Sequence, residues 1–392
     1  MLFEIYSLMQ IKIILKMIFR RCHITATLFM FVYLTTYRII VKYSAQNYNY
    51  PYRRFISITH MMLFMKMVGV AFEIHNSHAN KAKKNKECNS SEVSDEIKII
   101  DPTFVEILHY TFSFLGITAG NKKYFTYSFS TDIFSFVFLS SVVLHYVKSF
   151  FQYTITQEFR SSSILYKTMY IFITFENVHF WMYSIGSISE AIASSVGLGA
   201  YPEEGSNKSG HGPTKNYTEL RKMTLSKAVI ARYDFKTLHS VDIMVVQFSP
   251  WIPETIKAWN KTGQYFMGMY VFKVLPNSWN KSLRTFVTLM LSALWHGIDL
   301  GYFIGLGLMS LYMPAEIIFR KQHKKMTGWV IWKYLGGLLG LLVLLAKDQQ
   351  VLACLAALQY SPFILVGCLY LFAWAIKNST PNTEIKDNLK EY

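Results

Sequence analysis

RTFVTLMLSALWHGIDLGYFIGLGLMSLYMPAEIIF, residues 284–319, decides how this chain is read. It is almost wholly apolar, yet Ser292, Trp295, His296, Gly297 and Asp299 stand near its middle. A run of this length and hydropathy predicts a membrane-crossing helix. An ionisable side chain at membrane depth is expensive and needs a polar cavity or internal partners. His296 therefore reads either as a functional group or as a structural histidine bonded to a neighbouring helix, and its position alone favours neither.

The rest of the chain has the same character. Of 392 residues, 52% are hydrophobic and only 16% charged, with a mean hydropathy of +0.22, whereas a soluble domain carries about a quarter charged residues. Further apolar blocks lie at 24–41, 55–72, 103–119, 129–148, 164–183, 184–200, 262–275, 328–346 and 360–376. Continuous apolar runs exclude a soluble enzyme, a disordered regulator and the alternating strands of a membrane barrel. The expected fold is all-α and polytopic, with about nine or ten spans.

Residues 1–22 carry Glu4, Lys12 and Lys16 within an apolar run and suit an interfacial or partial membrane helix. Residues 23–378 form the integral domain, and 379–392 a polar tail. The stretch Asn76 to Asp101 mixes lysines with acids and reads as a solvated loop. Tyr201 to Ser240, with Gly205, Gly210, Gly212 and Pro213, reads as irregular or broken helix.

The net charge of +16 follows from basic loops between spans, which the positive-inside rule and anionic headgroups favour. No groove-reading motif accompanies it, so no nucleic-acid partner is expected. Cys22, Cys88, Cys354 and Cys368 match no metal or redox spacing and read as packing residues. No metal and no resident cofactor are expected.

Upstream of His296 lies Trp259-Asn260-Lys261-Thr262, entering an apolar helix, with Gln264 one turn beyond Asn260. An asparagine amide there can stabilise developing negative charge on a substrate. It can equally cap the helix, and on spacing alone the cap is the stronger reading.

The pattern Trp259-Asn260 through Gln264, Tyr270 and Lys273 to Ser292-Ala293-Leu294-Trp295-His296-Gly297 and Gly301-Tyr302 resembles the active-site region of the membrane-bound O-acyltransferase family. Gly199-Ala200-Tyr201-Pro202, Gly212-Pro213-Thr214, Tyr233-Asp234 and Val241-Asp242 are similar to members of its lysophospholipid branch that acylate lysophosphatidylinositol. The resemblance implies transfer of a fatty acyl group, polyunsaturated by preference, from acyl-CoA to the sn-2 hydroxyl of a lysophospholipid in the endoplasmic reticulum membrane. It assigns His296 as general base and Asn260 as positioning or oxyanion group. Trp259, Gln264, Ser292, Trp295, Asp299 and Tyr302 would support them or line the substrate tunnel. Acyl-CoA, the lysophospholipid and the bilayer are the implied partners, and basic loops would hold the coenzyme A phosphates. Within the same fold the alternatives are another acceptor (a different lysolipid, sterol, diacylglycerol or protein) or a lipid-binding protein without turnover.

Three departures from the family pattern are visible. The chain begins near the family's third helix, so two N-terminal spans are expected to be absent or replaced by Met1 to Phe19. A Gly-Pro turn is replaced by Gly120-Asn121-Lys122-Lys123-Tyr124-Phe125-Thr126-Tyr127. The family's second histidine and proline are replaced by Asp299 and Leu300. On a continuous helix Asp299 would lie one turn from His296 and within reach of its ring; the alternative places it at a helix break beside Gly301.

Overall fold

The computed structural model describes residues 22–44, 50–87, 102–103, 105–107, 110, 153, 156–195, 197–216, 220, 223–319, 335–340, 342–343 and 348–379. The 129–148 block, the 120–127 turn and both chain termini lie outside them. The described chain is almost entirely helical and forms two compact units.

The first unit contains α1 (Cys22–Ser44), α2 (Tyr50–Glu87) and the short stretch Leu294–Ile298. Ala26, Met30 and Leu34 are buried along α1, and Phe64, Val68 and Phe72 along α2. The spacing of four puts each set on one helical stripe. Ring contacts pair His23 with Phe72 and His75, Phe31 with Phe64, and Tyr37 with His60. Numbers that rise on one helix as they fall on the other define an antiparallel pair. His23–Tyr43 is long and apolar enough to cross a membrane. Contrary to the solvated-loop reading, residues 76–87 continue α2. Their lysine- and asparagine-rich sequence has no helix breaker, so the helix that starts in apolar sequence propagates through it.

The second unit begins with α3 (Gln157–Ser161) and α4 (Ile164–Ser195). The blocks at 164–183 and 184–200 are thus a single helix over most of their length, because Ser184 and Gly186 do not interrupt the backbone ladder. Next comes a layer of short elements: β1 (Tyr201–Pro202), α5 (Leu225–Ile230), β2 (Tyr233–Asp234), α6 (Ile243–Phe248), α7 (Ile252–Ala258) and α8 (Lys261–Met267). β1 and β2 pair antiparallel, Tyr201 opposite Asp234. α8 runs into a π-helical turn, Gly268–Phe272, instead of continuing as the helix expected over 262–275. α9 (Lys281–His296), α10 (Leu300–Phe319), α11 (Asp348–Ala357) and α12 (Ser361–Ser379) follow. The run quoted above is therefore two helices, broken at 297–299. Leu300–Ile318 is long and apolar enough to span, and α11 and α12, bent by 69° at their junction, are so only when taken together, as a broken span or a re-entrant loop.

The core of this unit joins Leu308, Tyr312 and Ala315 of α10 to Leu335, Leu338, Leu339 and Leu342, and to Val351, Cys354 and Leu355 of α11. Lipid competes for apolar surface as well as protein does, so contact depends on backbones approaching closely through small residues. A Cβ on Gly301 would strike the carbonyl of Leu342, and one on Gly305 would lie 2.7 Å from the Leu339 oxygen. Gly307 has room, its nearest neighbour being Met290 Cε at 3.4 Å. Gly301→Ala is expected to destabilise the detergent-solubilised protein by about 1–3 kcal/mol, the usual cost of overpacking. Gly307→Ala is expected to be neutral or slightly stabilising through helix propensity. Thermal unfolding of the two variants side by side checks the contrast.

Candidate functional site

Trp295 and His296 belong to the first unit; Trp259, Asn260, Gln264, Ser292, Asp299 and Tyr302 belong to the second.

His296 is the last residue of α9. A helix end leaves carbonyls without intrahelical partners, and at membrane depth these must be satisfied by protein. Arg38 of α1, buried at 7% exposure, does this with a two-pronged grip: Nη1 donates to the Leu294 carbonyl and Nη2 to that of Trp295, both at 2.5 Å. A cation at a helix C-terminus also complements the helix dipole. Trp295 is held from a second side, its Nε1 donating to the Met61 carbonyl at 3.3 Å. The His296 ring lies edge-on to the Trp295 indole, with centroids 4.8 Å apart. The half-buried imidazole is thus presented from a turn whose two preceding residues are both fixed. Nothing in the sequence marks Arg38 as special among the basic residues beside spans, because its partners are backbone atoms more than 250 positions away.

The helix that would have set Asp299 one turn below His296 ends at His296 itself. Asp299 instead opens α10, its carbonyl accepting from Tyr302 N at 3.2 Å. Leu300 N, the first amide of that helix, donates to Asp348 Oδ1 at 2.8 Å. This is the helix-break alternative for Asp299. Ser292, within α9, and Tyr302, within α10, are half-buried.

Asn260 occupies the left-handed region, φ 45° and ψ 58°, which asparagine tolerates better than most side chains. Its Oδ1 accepts from Gly263 N at 3.1 Å, so it does cap α8. The turn is clamped on both sides: Asp242 N donates to Ala258 O at 2.9 Å and Lys261 N to Ser240 O at 2.7 Å. Glu190 of α4 fixes that second strand, accepting from Ser240 N at 2.8 Å and Ser240 Oγ at 3.1 Å. A Cβ on residue 263 would collide with the Asn260 amide, so any other residue there would have to displace the cap. Because Gly263 must meet an acceptor, Oδ1 is committed to the helix, and the group Asn260 has to offer a substrate is the Nδ2 donor. Capping and oxyanion stabilisation thus use opposite ends of one amide. Gln264 is exposed.

Trp259 packs against His179 and Tyr183 of α4, with centroids 5.2 and 5.9 Å away. These belong to a polar cluster absent from the sequence expectations. Glu176 Oε2 lies 3.3 Å from His179 Nδ1 and accepts from Gln247 Nε2 at 2.9 Å, while the same Nε2 donates to Tyr183 OH at 3.0 Å. The signal was there, since Glu176, His179 and Tyr183 recur at three and four residues on one helical face.

The sequence matches the family described as MBOAT, membrane-bound O-acyltransferase family, over residues 2–343. It is 26% identical over 356 residues to a membrane-bound acylglycerophosphatidylinositol O-acyltransferase of Xenopus laevis, covering 82% of this chain and 72% of that protein. The Drosophila melanogaster protein of that description is 26% identical over 335 residues (77% of this chain, 65% of the relative). The Homo sapiens protein is 24% identical over 317 residues (75% and 65%). The alignments thus span about two thirds to three quarters of these relatives' own length.

Two outcomes are expected from the geometry alone. Arg38→Met, which leaves two α9 carbonyls without their charged donor, should cost about 1.5–3 kcal/mol per bond lost at most, read as a lower melting temperature of the purified protein. Asn260→Ala should cost about 1–2 kcal/mol for the lost cap and about 1 kcal/mol more for the left-handed backbone. Asn260→Asp retains the acceptor and should melt close to wild type.

Proposed function

The chain belongs to the membrane-bound O-acyltransferase family, and from this we propose that it transfers a fatty acyl group from acyl-CoA to the sn-2 hydroxyl of lysophosphatidylinositol. The observation that carries the reading is the pair of prepared groups in the two family motifs: an imidazole at the secured end of α9, and an amide whose acceptor is already spent on Gly263. The names of the relatives supply the acceptor, an acylglycerophosphatidylinositol.

In this mechanism His296 accepts the proton of the lysolipid hydroxyl as its oxygen attacks the thioester carbonyl. Neutral imidazole suits that step near pH 7. The carbonyl carbon becomes tetrahedral and its oxygen takes up negative charge, which the Asn260 Nδ2 donor stabilises. When the C–S bond breaks, coenzyme A leaves as a thiolate and His296 returns the proton to sulfur. The ester bond formed and the thioester bond broken balance without a redox partner, and acyl-CoA is a co-substrate. Residence in the endoplasmic reticulum membrane is part of the proposal, in keeping with a lipid-soluble acceptor and a water-soluble donor.

The test is acyl transfer in membranes from cells expressing the chain, with arachidonoyl-CoA and lysophosphatidylinositol against lysophosphatidylcholine, lysophosphatidylserine and lysophosphatidylethanolamine. Acylation of the inositol lipid should dominate. His296→Ala is expected to lower the rate about 10²–10⁴-fold, the range general base catalysis supplies. Asn260→Asp, which keeps the cap and loses the donor, should lose about 10²-fold or more while melting normally. Equal silence of wild type and His296→Ala on every acceptor, with both folded, would sink the reading.

A further inference from the structure

Residues Asn207, Lys208, Ser209, Lys236, His239 and Lys261 line a concavity of about 360 Å³ in the layer of short elements. Three lysines reach it from three separated stretches of chain. Lys236 is paired, its Nζ 3.3 Å from Asp234 Oδ2, and His239 Nδ1 lies 3.4 Å from Glu190 Oε2. Among the described residues neither Lys208 nor Lys261 has an acidic partner within 4.0 Å. Two of the three lysines that line the concavity are therefore left without a carboxylate of the protein to balance them.

Solvated lysines on mobile loops would be unremarkable, but these stand on a tightly braced frame. Asn207, 8% exposed, donates through Nδ2 to the carbonyls of Tyr201 and Pro202 and to Asp234 Oδ1, at 3.2, 3.0 and 2.9 Å. Lys208 N donates to Gly212 O at 3.1 Å, and Ser209 Oγ to Lys236 O at 3.1 Å. Gly210 N donates to Thr237 O at 2.9 Å. Gly210, at φ +69°, approaches so closely that a Cβ there would lie 2.9 Å from Thr262 Cα. That approach sets the Lys208 turn directly against the start of α8, where Lys261 follows Asn260. A rigid frame spares the entropy of assembling these lysines around an anion.

We propose that Lys208, Lys236 and Lys261 form a phosphate-binding site for a substrate of the acyl transfer. The inference rests on the function proposed above, whose reactants both carry phosphate: the donor on its nucleotide and the acceptor on its inositol headgroup. Lys261 adjoins Asn260 in sequence, so phosphate bound here anchors a substrate beside the amide assigned to its carbonyl. Ammonium groups act as point charges and bind phosphate without fixing its orientation, while Ser209 and Asn207 serve the frame through their bonds to the protein.

The experiment uses the purified full chain in nanodiscs of phosphatidylcholine, a zwitterionic surface that keeps adsorption to anionic lipid out of the signal. Binding of adenosine 3′,5′-bisphosphate and of glycerophosphoinositol is measured for wild type, the single variants Lys208→Gln, Lys236→Gln and Lys261→Gln, their triple combination, and Lys261→Arg. Wild type is expected to bind one probe with a salt-dependent Kd. The triple variant should bind it at least about tenfold more weakly, the single variants intermediately, and Lys261→Arg like wild type. Acyl-transfer kinetics then name the source: KM rises for acyl-CoA alone if the donor docks here, and for the lysolipid alone if the acceptor does. If wild type binds neither probe, or the folded triple variant binds both as wild type does with both KM values unchanged, the site is refuted. Should the triple variant fail to fold, the exposed single positions 208 and 236 decide the same question. Lysine-dependent binding in a chain that transfers no acyl group would uphold the site and overturn the function, whereas activity indifferent to the lysines would do the reverse.

Discussion

Backbone polar groups in an apolar environment have no water to fall back on, and this chain breaks its helices where they are most in need of partners. Several helix ends among the described residues are met by an ionisable side chain of the sign the helix dipole favours. Arg38 holds the carbonyls at the end of α9. Lys167, also buried, donates to Ala357 O, the last residue of α11, and to Arg160 O near the end of α3. Anions serve the opposite ends: Asp348 accepts from the first amide of α10, and fully buried Glu316 from Ile252 N, the first amide of α7. Cations at C-termini and carboxylates at N-termini are electrostatically matched to the partial charges there.

This constraint explains why so few of the buried charges are candidates for chemistry. An intramembrane ionisable residue is a functional hypothesis by default, yet buried Arg38, Lys167 and Glu316 each have structural work that accounts for their burial, and half-buried Asp348 has the same kind of work. Removing any one leaves an uncompensated backbone group, and usually a stranded partner, which is the costly direction of change. His296 differs in kind: it sits at a break whose Leu294 and Trp295 carbonyls are met by another residue. Asn260 shares its amide between the two duties, one end structural and the other open to a ligand.

Legibility from sequence followed the range of the interactions involved. Apolar runs of about twenty residues are a local signal, and α1, α10 and α12 fall where hydropathy puts them. The Trp259-Asn260 and Trp295-His296-Gly297 motifs are local too and lead directly to the family. What the sequence misplaced were continuity and partnership. Residues 76–87 look like loop by polarity but carry on a helix already nucleated, and residues 297–299 look like mid-helix by hydropathy but form its break. A break of that kind is stabilised by Arg38 and Asp348, both far away in the chain, and no window of sequence contains either pairing. Of the two readings of Asp299, the one that set it a turn below His296 rested on a helical spacing that the break removes.

The short elements between α4 and α9 follow from the same logic on the polar side of the problem. Here short helices alternate with irregular backbone, and the irregular parts are stabilised by side-chain bonds instead, above all by Asn207 and Glu190. Those bonds settle where the left-handed turn at Asn260 lies, and the clamp on residues 240–242 that holds the turn also brings the Lys208 loop against α8. Irregular backbone is what makes the convergence of lysines attainable, since a continuous helix would have spread them along its length. Helix breaking is thus the structural cost common to every feature that the proposed chemistry uses, and side-chain partners make those breaks stable: a guanidinium at the end of α9, and amides at Asn260 and Asn207.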